Sequence, residues 1–201
     1  MSTNSNRERA AVIQQAHSSR AEQIRGRTEL TFEAKVGLLA RSQADAKAAM
    51  ADLQQQAADD AAVQRRTMSQ KAFGVAGVAG DPATLQVSMR DAQDRAATLT
   101  AGRDAVALLA RAEDTGDEVM ARAVARHSFA QATAPGVSGL DDDWSTVVNS
   151  FADTRPTAAD AIRSLVDLNS GVPGWTYVVP SPPELHGIPS GQLDSLAAKA
   201  P

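Results

Sequence analysis

Apolar side chains are sparse up to residue 30, where Val12, Ile13, Ala16, Ile24 and Leu30 are the main ones. From Phe32 they become regular. Phe32, Val36, Leu39, Gln43, Ala46, Met50, Leu53 and Ala57 alternate spacings of four and three, a heptad-like seam with one polar position at Gln43. Asp59-Asp60 interrupts the seam, and Val63, Met68 and Phe73 resume it weakly. No proline falls between residues 5 and 73, and Gly26 and Gly37 are the only glycines there. The stretch predicts one long helix, or two in line, about 100 Å from end to end at ~1.5 Å per residue. Gly26-Arg27-Thr28 is the expected break, with Thr28 capping the second helix. Because the remaining residues cannot cover so long a helix, the seam residues Phe32, Val36, Leu39, Met50 and Leu53 are assigned to a partner. Residues 1–27 have few apolar anchors, which predicts an arm ordered by that partner.

Beyond the seam the pattern predicts a Gly-rich linker over residues 74–82 and a helical bundle over 83–170. Asp81-Pro82 reads as an N-cap followed by a first helical proline. One helix is predicted from Pro82 to Asp114, bent at Gly102, followed by a tight turn at Thr115-Gly116 and a second helix over 117–132. Trp144, Val147, Val148 and Phe151 make the cleanest amphipathic stripe, and a last bundle helix buries Ala161, Ile162, Leu165, Val166 and Leu168. Residues 171–201 hold six of the nine prolines and predict an extended C-terminal arm, with Trp175-Thr-Tyr-Val-Val179 strand-like and Ser190 capping a short helix. Trp175, Tyr177 and Val179 are expected to pack back on the bundle or to dock on a neighbour. The fold class is therefore all-α: a long N-terminal spine over 1–73, a linker, a small bundle, and a Pro-rich arm.

Composition explains why the core should be thin. Alanine fills 40 of 201 positions and aromatics make up 3%, so helices form readily while little large apolar surface is available. Cysteine is absent, which excludes a disulfide framework, a thiolate nucleophile and Cys-ligated metals. No apolar run approaches the ~18 residues of a membrane span, and the polar start is unlike a signal peptide. Both observations predict a soluble protein made in the cytoplasm. Residues 1–73 carry a net charge of +3 and residues 74–201 one of −7. Arg20, Arg25, Arg27, Arg65 and Arg66 could be read as a nucleic-acid surface, but overall acidity and the lack of interleaved aromatics argue against it.

Candidate chemistry is slight. His17, His127 and His186 lie in three segments without metal-ligand spacing. Asp141-Asp142-Asp143 reads as a helix start rather than a cation site, and Glu113, Asp114, Asp117 and Glu118 as a solubilising turn. Gly74, Gly77 and Gly80 lack the spacing of a phosphate loop. No catalytic, cofactor-binding or metal site is expected, and no cofactor.

The stretch Leu108-Leu-Ala-Arg-Ala-Glu-Asp-Thr-Gly-Asp-Glu-Val-Met-Ala-Arg-Ala-Val-Ala resembles half of a tetratricopeptide-type hairpin, but no second copy follows at that period. With the long helix, the Ala/Arg-rich composition and Trp144, Phe151 and Arg155-Pro156, residues 85–170 resemble small structural proteins from the head and neck gene block of tailed actinobacteriophages. The resemblance implies no enzyme. It implies a virion component, on the capsid or at the head–tail connection, that associates with copies of itself and with capsid or portal and neck proteins. A cytoplasmic helical adaptor or capsid-assembly scaffold is the alternative.

Overall fold

The computed structural model describes residues 3–134, 142–170 and 174–200, and it is all-α. The described helices are α1 (Thr3–Gly26), α2 (Phe32–Phe73), α3 (Pro82–Ala97), α4 (Gly102–Thr115), α5 (Glu118–Ala132), α6 (Asp142–Asp153), α7 (Pro156–Ser170) and α8 (Ser190–Lys199). The chain divides into two compact units. One combines the described residues up to Ala62 with those from Gly174 onward, and the other runs from Val63 to Ser170. The division falls inside α2, not at residues 74–82 where the glycines had placed it. Ala72 and Phe73 are fully packed into the second core, so the glycines that follow are a turn within that unit.

In the first unit α1 and α2 do not run in line. The helix breaks after Gly26, as expected, but the cap is Thr31 rather than Thr28: the Thr31 hydroxyl accepts from the Ala34 amide at 3.2 Å. The chain doubles back. Ala21 and Ile24 pack on Val36, Leu39 and Ala40, while Ala10 packs on Ala46, Met50 and Leu53. These pairings define an antiparallel hairpin. Residues 1–27 therefore have a partner within the chain, and alanines supply much of the contact on the α1 side. Full burial of Ile24, Leu39, Met50 and Leu53 contributes about 1.5–3 kcal/mol each relative to exposure.

The C-terminal segment belongs to the same unit and is not an extended arm. It comprises a 3-10 turn at Gly174–Tyr177, a second at Pro183–Leu185, and α8. No strand occurs among the described residues. The run read as strand-like begins in the first 3-10 turn, and the Val178 carbonyl is taken by the Gln14 side chain instead of a neighbouring strand. Ser190 is the first residue of α8, preceded by Pro189 at the cap position.

In the second unit the single helix predicted over 82–114 is two. The Thr98 hydroxyl and amide both turn back to the Arg95 carbonyl, which ends α3, and α4 starts at Gly102. Local signals elsewhere match the structure. Asp81 caps α3 by accepting from the Thr84 amide at 2.9 Å, with Pro82 first in the helix. Gly116, at φ +67°, ends α4, and the bonds Gly116 N–H to Glu113 O and Asp117 N–H to Ala112 O make a Schellman turn. The core gathers Phe73, Val124, Trp144, Val147, Phe151 and Leu165, with Phe73 5.8 Å from Phe129 and 6.1 Å from Phe151 between ring centres. The loop expected over 133–139 falls largely, and Asp141 wholly, outside the described residues.

Candidate functional site

Of the residues assigned from the sequence to a partner, Val36, Leu39, Met50, Leu53, Tyr177 and Val179 lie packed within the cores of the first unit. Val36 and Leu39 are buried against Ala21, Ile24 and Leu185. Met50 and Leu53 are buried against Ala10 and Val179, with Tyr177 packed alongside. The seam and the C-terminal residues, each assigned to a partner, thus cover each other within one chain. Phe32 stands apart, 72% exposed at the start of α2. Trp175 has its backbone in the first 3-10 turn, and its side chain lies outside the described residues.

Polar side chains on the hairpin address the main chain of the C-terminal segment. Gln14 Nε2 donates to the Val178 carbonyl at 2.8 Å, and His17 Nε2 bonds the Pro180 carbonyl at 3.2 Å. A carbonyl only accepts, so the proton of the His17 ring is assigned to Nε2, and Nδ1 accepts from the Ser42 hydroxyl at 3.1 Å. Arg41 donates to the Ala200 carbonyl at 2.7 Å. One side-chain pair fixes the register: Arg25 grips both carboxylate oxygens of Glu184, at 2.6 and 2.9 Å. Hydrogen bonding from Arg25 holds the Glu184 carboxyl down to about 2. Leu185, one residue on, is 2% exposed. Gly37 lies under α8, where its missing side chain leaves room for Ala200 and the Leu196 carbonyl.

A groove of about 550 Å³ stays unfilled between α1 and α2, lined by Ile13, Ala16, His17, Arg20, Arg41 and Asp45 among others. Its walls mix apolar and charged groups of both signs.

In the second unit Glu113 and Glu118, expected only to solubilise a turn, belong to an ion cluster. Arg155 pairs with Glu118 at 2.6 Å and Glu113 at 2.9 Å, and its guanidinium lies 4.3 Å over the Phe151 ring. Arg122 pairs with the same Glu118 and donates to the Gly74 carbonyl. Hydrogen bonding from Arg155, then its charge and that of Arg122, hold the Glu118 carboxyl below its usual range. Opposite charges in direct contact make this a clamp joining the end of α2 to α4, α5 and the α6–α7 turn. His127 bonds the Leu99 carbonyl and meets the Trp144 ring edge-on at 5.5 Å. His186 is exposed.

Among the described residues no three His, Asp or Glu side chains come together as a metal cage, and no helix is long and apolar enough to cross a membrane. Sequence reasoning missed Gln14, His17, Arg25 and Glu184 as a set. Arg25 and Glu184 are 159 residues apart, and neither stands in a local pattern that marks the other. Compared with known proteins, the chain matches no family model, no curated protein and no solved structure.

Proposed function

We propose that this protein is a non-enzymatic structural component of a tailed-phage virion, attached to the capsid or placed at the head–tail connection. It is synthesised in the host cytoplasm and binds copies of itself and neighbouring capsid, portal or neck subunits through the α1–α2 hairpin and the C-terminal segment. One observation carries this reading. The hairpin is equipped to hold a length of polypeptide: Gln14, His17 and Arg41 donate to main-chain carbonyls, a mode of grip that depends little on the side chains of what is held. The unfilled groove beside it and exposed Phe32 add surface on the same unit for a neighbouring subunit. Mass spectrometry of purified mature and immature particles tests the proposal. A virion component is present in mature particles. Presence only in immature particles makes the protein a scaffold, and absence from both makes it a cytoplasmic adaptor, and either outcome overturns the reading.

A further inference from the structure

Residues 174–200 are fastened to the hairpin unevenly. Up to Leu185 the hold is tight: Arg25 grips both oxygens of Glu184, His17 bonds the Pro180 carbonyl, and Leu185 is buried. Next comes Gly187, at φ +81°, where an added Cβ would meet nothing within 4 Å. Glycine takes up that backbone conformation without the strain an L side chain brings. α8 follows, and none of its residues is fully buried. Leu193, Leu196 and Ala197 rest on the first core only partly covered. No side chain caps the start of the helix, where Pro189 stands. A cleft of about 330 Å³ between α8 and the start of α2 stays unfilled, lined by Ala34, Gly37, Leu196 and Ala200 among others. At the far end Arg41 donates to the Ala200 carbonyl.

We propose that α8 is a lid, hinged at Gly187, that opens as one unit while residues 174–185 stay docked on the hairpin. Partly covered side chains over an unfilled cleft supply little buried area and few close contacts to oppose opening. A helix of 10 residues is too short to persist alone in water, so undocking and melting of α8 are one step. The anchors at Glu184 and Leu185 lie before the hinge and are not broken by it. Opening uncovers Ala34 and Gly37 and takes Ala200 away from Arg41. Arg41 and Leu38 also line the groove of about 550 Å³ between α1 and α2, so the lid acts on one end of that groove.

Residue-resolved amide hydrogen exchange on the full-length protein tests the lid. Amides from Leu193 to Ala200 are expected to share one opening rate, at least about tenfold faster than amides of α1 and of Leu185. Equal protection in α8 and α1 would mean that the whole unit opens together, and it overturns the lid. So does protection that falls steadily toward Ala200 from a Leu193 as slow as α1, which is fraying from the chain end. The chain has no cysteine, so α8 can be locked by one disulfide. A Cβ at Gly37 would lie 3.6 Å from the Ala200 Cβ, within the range a disulfide spans. The oxidised Gly37→Cys, Ala200→Cys variant is expected to slow exchange in α8 and leave α1 unchanged, with reduction restoring the parent rates. Slowing of α1 by the same factor overturns the proposal. Should the thiols not join, Gly187→Ala decides. Alanine strains the closed turn alone, so α8 should exchange faster still while the Leu185 amide keeps its parent rate. An unchanged α8 overturns the hinge. None of these measurements involves particles, so the lid and the virion reading fail separately.

Discussion

Glu184 carries a pH dependence of known sign. Its carboxyl titrates at about 2 when bonded to Arg25 and at an ordinary 4.5 otherwise, so the folded state holds the charged form more tightly than the unfolded state does. The stability this adds is complete above pH 4.5 and is lost as the pH falls toward 2. Glu184→Gln should therefore lower the urea midpoint at pH 7, and the gap from the parent protein should shrink steadily as the pH falls from 4.5 toward 2. A gap of equal size across that range would show that the loss is one of packing. Glu118 and Asp81, also held below their usual range, remain in both proteins and cancel in the comparison. Ser128 makes the opposite case. It is fully buried on α5, and its hydroxyl has no partner among the described residues. An unsatisfied buried hydroxyl is unfavourable and alanine is the better helix former, so Ser128→Ala should stabilise the protein by about 1 kcal/mol in urea unfolding. A loss instead would mean that the hydroxyl is bonded to water.

Element by element, what was legible in the sequence was what is local. The Asp81-Pro82 start of α3 and the Thr115-Gly116-Asp117 turn each depend on residues within a few positions, and both formed as read. The seam on α2 was visible from its spacing, but what covers it was not. α1 contributes alanines, which mark a helix without marking a face, and Val179 and Leu185 come from the far end of the chain. The break at residues 98–101 was hidden because Leu99 keeps the apolar period while the Thr98 hydroxyl ends the helix. Gly37 looked like a weak point in a helix, and in the structure it is also where α8 rests. A methyl there meets Ala200 Cβ at 3.6 Å and the Leu196 carbonyl at 3.7 Å, ordinary contact distances. Gly37→Ala should therefore raise the melting temperature, gaining up to about 1 kcal/mol of helix propensity. Gly37→Leu, too large for the space under α8, should lower it. A lower melting temperature for the alanine variant would place α8 closer to α2 than these distances do.

At the scale of the molecule, the chain builds one unit from its two ends and another from its middle, with α2 passing between them in sequence. The first unit has a thin core, held by alanines, a few large side chains and the polar grip on residues 174–200. The second has three phenylalanines, Trp144 and the Arg155 clamp. Such a division predicts that damage to the first core stays in the first unit. Leu185→Asp puts a charge where Ala21, Ile24 and Leu39 leave no water to solvate it, and removes the residue that anchors the C-terminal segment. Burying an unpaired carboxylate is disfavoured so strongly that the segment should release rather than accommodate it. Hydrogen–deuterium exchange is expected to speed up in α1, in α8 and in α2 before residue 62, while amides from Val63 to Ser170 keep their protection. Equal loss of protection across α3–α7 would show that the two units unfold as one, and that the grip on the C-terminal segment stabilises the whole chain.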